Sequence, residues 1–456
     1  MKEFFLNKIE KKYYSHVSKK LYPKIEHEYN LSRDEQKELN LQRRIALVKH
    51  AYNTIPFYHK KYSAAGVNIN SIKTDADFAQ LPPLTKTEVR NNYRDMIAAT
   101  DSLDSLYVSA TGGSTGVPVR FYHDPAIPNR LLGWPAVSQL GIEVHDPFGQ
   151  VARGKPTLFR ECLHDFVHYS YRIAYLDANQ PIDSDSMSNF ADKLIRIKAK
   201  YIRGYVGGII QFALFCKQQK ITIPSLQLIW TSSAPLPEFQ RNMLQEIFGC
   251  KAYTQYGCCE IPWLGIECRK QCGIHIFPTM RHIEITDQKG APVPRGEMGN
   301  VVITDLLNFR FPLIRYINGD RSSFLTQECD CGNASPLLNY IQGRVTDCIN
   351  LSDGSILFGD YLTTAFDQYP EAVQAFQFHQ IIDGTIFFRI VKNDNYTNAS
   401  QEIENVITRF QHLVAGRNKI VLEYCSEICA DRGKTRFIIN DFNTKDNNAD
   451  PGTTQD

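Results

Sequence analysis

A chain of 456 residues with 43% hydrophobic and 22% charged content is too long for one ordinary core and has the balance of a globular protein of two or three domains. Its net charge of +2 gives no global reason to expect nucleic acid as a partner, and no apolar run approaches the roughly 20 residues that span a bilayer. The 12 Cys follow no small-domain disulfide framework and no secretory signal is evident, so the expectation is a cytoplasmic protein with reduced thiols, some of them metal ligands.

Residues 1–24 place Phe5, Ile9, Tyr13, Val17 and Leu21 at helical spacing with seven Lys against two Glu, and the pattern ends at Pro23. This basic amphipathic helix has two readings: peripheral contact with an anionic membrane, or packing on its own domain with the lysines solvated. A second helix is expected from Ser32, with Glu35 completing a capping box, Leu41, Ile45, Val48 and Tyr52 on one face, and an end before Pro56. Further on, Ser105–Ser109 and Val117–Tyr122 read as short strands flanking a run of glycines and hydroxyls, Ser109-Ala-Thr-Gly-Gly-Ser-Thr-Gly116. Gly112, Gly113 and Gly116 can take positive φ while Ser109, Thr111, Ser114 and Thr115 add hydroxyls, so the loop can wrap a phosphate. A plain flexible loop is the competing reading, and the pattern is no Walker loop, which requires Gly-Lys-Ser/Thr opening a helix.

Helical periodicity follows at Phe190–Ile197 and Ile209–Cys216, flanking a glycine-rich turn Arg203-Gly-Tyr-Val-Gly-Gly208. Strand, loop, helix, strand then alternate over Leu226–Gly257, which argues for a βαβ layer. Residues 281–326 are β-rich, the segment after Arg344 mixes strands with two helices, and the polar tail 443–456 is expected to be disordered.

Several polar groups recur where such strands end. Tyr256-Gly257-Cys-Cys-Glu260 offers a ring for base stacking and a carboxylate for Mg2+, although a surface loop is the commoner meaning of such a pair. The run Pro312–Asp320 ends an apolar strand with Gly-Asp, where Asp320 could accept ribose hydroxyls or could simply close a turn. Gly343-Arg344-Val-Thr-Asp347 and Gly433-Lys434-Thr-Arg436 follow.

That ordered set resembles the adenylate-forming superfamily of acyl-CoA ligases, luciferases and peptide-synthetase adenylation domains. Thr54-Ile-Pro-Phe-Tyr58, the Gly208 turn, Ser233-Ala-Pro-Leu236 and the paired Cys segments are similar to the phenylacetate:CoA ligase branch and its capsule-polysaccharide relatives. The resemblance implies an α/β fold: a large N-terminal adenylation domain, 1–346, and a small mobile α+β lid, 347–442. The large domain would be built from βαβ layers and a β-rich subdomain, with helices at 1–60 and a zinc-bound loop region at 268–331. It implies that the Ser109–Gly116 loop holds ATP phosphates, that adenine lies between Ser233-Ala234-Pro235 and Tyr256-Gly257, and that Asp320 holds the ribose. Glu260 would be the Mg2+ carboxylate, Arg344 a ribose or phosphate contact, Asp347 the hinge and Lys434 the mobile catalytic lysine. Tyr205, Gly207, Gly208 and Trp230 would wall the acid pocket.

Cys268, Cys272 and His275 lie close together, and Cys329-Asp-Cys331 supplies a second knuckle, a pattern that suits one closed tetrahedral Zn2+ site. The resemblance favours Cys268, His275, Cys329 and Cys331, while a four-Cys set using Cys272 is chemically as good. Val117 stands where relatives have a pyrophosphate lysine, with Arg120 as a substitute, and Ile317-Asn318 stand where they have Asp-Thr. The implied activity is two-step: ATP and a carboxylate give acyl-AMP and pyrophosphate, then coenzyme A takes the acyl group. An amine acceptor with a uronic-acid donor is the alternative, a catalytically silent nucleotide-binding scaffold is a third reading, and a homodimer is an admitted assembly.

Overall fold

The computed structural model describes residues 21–98, 100–111, 119–129, 131–144, 146–152, 173–178, 182–234, 236, 238–341, 349–353, 355–357, 362, 365, 366, 368, 369, 371–394, 396–428 and 438–442. The chain forms two compact units, one of residues 1–109 with 120–343 and one of residues 110–119 with 344–456.

In the larger unit the helix Arg33–Thr54 starts where its cap dictates. Ser32 and Glu35 exchange both capping-box hydrogen bonds, and Pro56 opens the next helix, Pro56–Ala64. The expected apolar face is not the buried one. Of Leu41, Ile45, Val48 and Tyr52 only Val48 is buried, alongside Gln36, Asn40, Arg44, Leu47 and Ala51. The polar members of that face are held by partners: Gln36 donates to Leu31 O at 3.0 Å, and Arg44 Nε donates to Asn40 Oδ1 at 2.8 Å. Nor does the first helix stop at Pro23, since residues 21–29 are helical. Tyr22, Ile25 and Tyr29 pack on a cluster that includes Trp134 and Trp263. Residues 1–20 lie outside the described set.

In chain order the first strands are β1 (Tyr107–Thr111), β2 (Val119–His123), β3 (Phe148–Ala152), β4 (Ile173–Asp177), β5 (Tyr201–Tyr205), β6 (Leu228–Ser232) and β7 (Lys251–Tyr256). After them come β8 (Gly265–Glu267), β9 (Ile274–Ile276), β10 (Arg281–Thr286), β11 (Gly299–Asp305), β12 (Tyr316–Ser322) and β13 (Leu337–Leu338). Eight of them make one sheet in the order β13-β9-β8-β7-β6-β5-β3-β4, with β3 to β7 parallel and β8, β9 and β13 antiparallel. The helices Val206–Gln219 and Glu238–Phe248 connect parallel neighbours, while Ser184–Ile197 leads from β4 to β5, the two strands that flank β3. They cover one face through the ring series Phe190, Phe212 and Phe248. The opposite face carries Phe148, Tyr201, Leu228, Trp230 and Tyr253 against Trp134, Trp263 and Phe277.

The supposed glycine-rich turn at Arg203–Gly208 is the junction between β5 and the helix Val206–Gln219. Gly204 belongs to the strand at φ +146°, where an added Cβ would lie 1.8 Å from Val151 O. Gly208 lets the helix approach β3, since a Cβ there would come 2.6 Å from Val151 Cγ1.

A separate antiparallel sheet, β10-β11-β12, carries the β-rich segment. The strand expected from Pro312 begins only at Tyr316, because Arg315 takes a left-handed φ of +51°. Its buried guanidinium bonds Glu284, Ala79 O, Leu81 O and Gly290 O, leaving the charge paired. Leu84 then docks on this strand, with its N–H to Arg315 O at 2.8 Å and its carbonyl accepting from Ile317 N at 2.9 Å.

The smaller unit has two short strands, β14 (Ile349–Asn350) and β15 (Ile356–Leu357), and a four-stranded sheet. That sheet runs β18-β17-β16-β19, with β16 Val373–Gln380, β17 Ile386–Lys392, β18 Ile420–Tyr424 and β19 Ile438–Asn440. The helix Ala399–Val414 packs Ile403, Ile407 and Phe410 on Phe376, Phe378 and Phe388. The expected α/β architecture with a large N-terminal and a small C-terminal domain is therefore what the chain adopts.

Gly204→Ala should cost about 3 kcal/mol, because it adds a backbone clash to left-handed strain, whereas Gly249→Ala, with nothing within 4 Å of its Cβ, should cost about 1 kcal/mol. Thermal denaturation of the two variants checks the difference, and equal losses would count against it.

Candidate functional site

The parallel strands β5, β6 and β7 end side by side at Tyr205, Ser232 and Tyr256. Carboxyl ends of parallel strands leave a crevice where ligands bind. Ser233 follows β6 with φ +74°, a left-handed conformation that costs a side-chain-bearing residue about 1 kcal/mol, and it is exposed. Ala234 beside it is half-buried.

After β7 the chain turns tightly. Gly257 is required there, since a Cβ would lie 2.1 Å from Pro262 O, and Cys258 and Ile261 exchange backbone hydrogen bonds of 3.0 and 3.1 Å. The turn sends Glu260 inward, where it is 4% exposed. Tyr316 Oη donates to its Oε1 at 2.9 Å and Lys86 Nζ lies 4.0 Å from the same oxygen. Lys86 arrives there because Leu84 is paired with Tyr316 and because Thr85 and Glu88 cap the helix Lys86–Asn92 that it opens.

The second carboxylate, Asp320, accepts from Tyr256 Oη at 2.9 Å and from Asn318 Nδ2 at 2.6 Å. Asn318 Nδ2 also reaches Tyr256 Oη at 2.9 Å, and its Oδ1 accepts from Asp320 N at 3.0 Å. Gly319, at φ +91°, permits that fold-back. Burial, and then the neighbouring Asp320 charge, push the Tyr256 phenol well above its ordinary range, so it serves as a fixed donor.

Ser109 joins the loop root to this turn. Its hydroxyl donates to Cys259 O at 3.1 Å and lies 2.7 Å from His123 Nε2, which must then supply the proton of that second bond. Burial lowers the His123 pKa, against the opposing pull of Asp305 and Glu260, which favours the neutral ring. Ser109 thus spends its hydroxyl on anchoring. Thr111 ends β1, while Gly112, Gly113, Ser114, Thr115, Gly116 and Val117 lie outside the described residues, as do Pro235, Arg344, Asp347 and Lys434.

Of the expected pocket walls, Tyr205 stands half-buried at the strand end. Gly207 and Gly208 are buried in the first turn of their helix. Trp230 is buried between Trp134 and Trp263, and its Nε1 donates to Gln255 Oε1 at 3.1 Å, so its ring serves the core. Sequence reasoning missed Lys86, His123 and Tyr316 and read Asn318 only as a departure. The capping box at Thr85 was legible, but the long-range pairing of Leu84 that aims Lys86 was not.

A second cluster lies at the antiparallel edge of the large sheet. Donor atoms of Cys268, His275, Cys329 and Cys331 lie within 4.8 Å of one another. Cys268 follows β8 and His275 sits in β9, opposite Ile266 and Leu337. His275 Nδ1 is bonded to Ser335 O at 3.1 Å, which leaves Nε2 as the free lone pair, 3.4 Å from Cys331 Sγ. Burial lowers the His275 pKa, favouring the neutral ring a metal needs. Cys272 is outside the convergent four but touches Cys329, sulfur to sulfur, at 3.2 Å. Three thiols and an imidazole fit a closed Zn2+ site.

Among the described residues no helix is long and apolar enough to cross a membrane. Residues 349–441 match the CapK C-terminal domain family. The phenylacetate-coenzyme A ligase of Thermus thermophilus is 23% identical over 373 residues, covering 78% of this chain and 80% of that protein. The enzyme of the same name from Aromatoleum evansii is 26% identical over 313 residues, 64% of this chain and 68% of its own length. A crystal structure of 2-hydroxyisobutyryl-CoA ligase with 2-HIB-AMP and CoA in the thioesterification state superposes with a TM-score of 0.63 at 20% identity, covering 91% of each chain. With the parallel sheet, its two buried carboxylates and these relatives together, the chain is phenylacetate-CoA ligase-like, similar to the adenylate-forming superfamily, and carries a CapK-type C-terminal domain at 349–441.

Proposed function

We propose that the chain is an AMP-forming carboxylate ligase that activates an acid as its acyl-adenylate and passes the acyl group to coenzyme A. The observation that carries this reading is the pair of buried carboxylates, Glu260 against Lys86 and Tyr316 and Asp320 against Tyr256 and Asn318, beside the carboxyl ends of β5 to β7. Asp320 would accept the ribose hydroxyls, with Tyr256 and Asn318 fixing its orientation. The Ser109–Gly116 loop, anchored through Ser109 and His123, would take the phosphates, and adenine would lie between Ser233-Ala234-Pro235 and Tyr256.

Glu260 would hold Mg2+, which supplies charge neutralisation on the phosphates. Both reactants are anions, so the barrier is lowered by cations already in place. Lys86 is positioned for that role near Glu260, and Lys434 would act in the adenylation step, with Arg344 on ribose or phosphate and Asp347 as the hinge. A second reading of the acceptor step, in which an amine takes a uronic or similar acyl group, rests on the resemblance of the sequence to capsule-polysaccharide relatives.

The direct test is acid-dependent pyrophosphate exchange over a panel of carboxylates, followed by product mass spectrometry with coenzyme A or amines. No exchange with any acid would reject the ligase. Glu260→Gln should lower the exchange rate about 10²- to 10³-fold while leaving the thermal midpoint within a few degrees, the usual cost of losing one electrostatic stabiliser. Lys434→Ala should slow adenylation by about the same 10² to 10³ yet spare transfer from preformed acyl-adenylate. Equal loss in both half-reactions, measured by single-turnover kinetics, would remove that assignment.

Zinc bound by Cys268, His275, Cys329 and Cys331 would be structural, since four protein ligands leave no open position. Elemental analysis of the purified protein should find one zinc per chain, and chelation should lower the melting temperature. A metal-free protein with an unchanged melting curve would overturn this.

A further inference from the structure

The cysteine cluster offers five donors where a tetrahedral ion takes four. Cys272 is the surplus one. It sits in a turn that holds its place by backbone geometry: Gln271 at φ +54° donates its N–H to Cys268 O at 3.0 Å. Gly273, at φ +146°, lies under Leu338 O, 2.8 Å from where a Cβ would stand. The turn therefore fixes Cys272 independently of any ion, with its sulfur 3.2 Å from Cys329 Sγ. Both residues are only partly buried, so a small oxidant can reach them.

We propose that Cys272 and Cys329 form an oxidisable pair that closes to a disulfide with hydrogen peroxide and so withdraws Cys329 from the metal site. The Cys329 thiolate attacks one peroxide oxygen, the O–O bond breaks, and sulfenic acid and hydroxide result. Cys272 sulfur then attacks Cys329 sulfur. The S–S bond forms as the S–O bond breaks, and the departing hydroxide takes the Cys272 proton as water. Per pair, one peroxide is reduced to two waters while two thiols are oxidised. The sulfurs have to close from 3.2 Å to about 2.05 Å. Three protein donors then remain for the ion, so zinc held there is released with the cross-link. Formation of the pair rests on the geometry alone, while release also rests on the zinc reading.

The test treats the full chain with hydrogen peroxide, maps disulfides by mass spectrometry of non-reduced peptides and follows zinc with a chromogenic chelator. The expected result is a dominant Cys272–Cys329 cross-link, one zinc released per cross-link, and recovery of both thiols by dithiothreitol. Cys272→Ser should keep its zinc on purification but lose the cross-link and the coupled release. The idea is overturned if the dominant linkage joins other cysteines, if Cys272 remains a free thiol after treatment, or if Cys272→Ser is purified without zinc while the wild-type protein carries it. A wild-type protein that forms the cross-link but carries no zinc would keep the pair and reject the release.

Discussion

Burying a carboxylate costs several kcal/mol unless hydrogen bonds or a counter-charge replace its water, and the site is arranged around that requirement. Glu260 is 4% exposed and receives the Tyr316 hydroxyl, with Lys86 nearby; Asp320 receives Tyr256 and Asn318. Apart from Asn318, which stands two residues from Asp320, the partners come from distant parts of the sequence, so the carboxylates lock together the end of β7, the strand β12 and the segment around Leu84. Remove the partners and the carboxylates would have to move to water or take up protons. In this way the requirement for charge compensation also becomes a requirement for tertiary geometry.

Close backbone approach makes the arrangement possible. Gly204 lets β5 lie against Val151 in β3, Gly208 lets the following helix reach the same residue, and Gly257 lets the chain reverse immediately after Tyr256. None of the three positions has room for a Cβ. Their service to packing is direct, and their service to the site is indirect: they set where Tyr205 and Tyr256 end their strands. Glycines that look like a ligand-binding turn in the sequence can therefore be steric necessities of a parallel sheet.

How legible each part was follows from the range of the interaction that creates it. Local signals were reliable, as with the Ser32–Glu35 capping box and the alternation from Leu228 to Tyr256. The small domain and the α/β architecture were likewise readable, from pattern and from resemblance. Long-range pairings were not. Nothing near Lys86 announces Glu260, and His123 becomes meaningful only when β2 sets it 2.7 Å from Ser109. The helix Arg33–Thr54 shows the complementary failure, because hydrophobic periodicity pointed to Leu41 and Ile45 while specific hydrogen bonds buried Gln36 and Asn40. Trp230 was expected at the wall of an acid pocket, and its register beside Tyr253 sets its ring in the cluster with Trp134 and Trp263.

The cysteine cluster and the nucleotide strand share a mechanical link. Tyr256 pairs with Gly265 at the start of β8, and Cys268 directly follows that strand's end. Between them Glu267, 1% exposed, is gripped by Arg241 through bonds of 3.0 and 2.9 Å, by Thr254 N at 2.5 Å and by the Tyr340 hydroxyl. This buried carboxylate obeys the same rule as Glu260 and Asp320, but its partners join β7, β8 and the helix Glu238–Phe248. A cross-link at the two cysteine loops would act beyond that clamp, on the short strands β8 and β9. Beside the Glu267 clamp, β7 meets this region through the Gln255–Ile266 and Tyr256–Gly265 pairs and through Gln271, whose Nε2 donates to Ala252 O at 2.6 Å. Of these links the Tyr256–Gly265 pair is the one whose tyrosine also donates to Asp320, so it ties the strand leading into the metal knuckles to the carboxylate network.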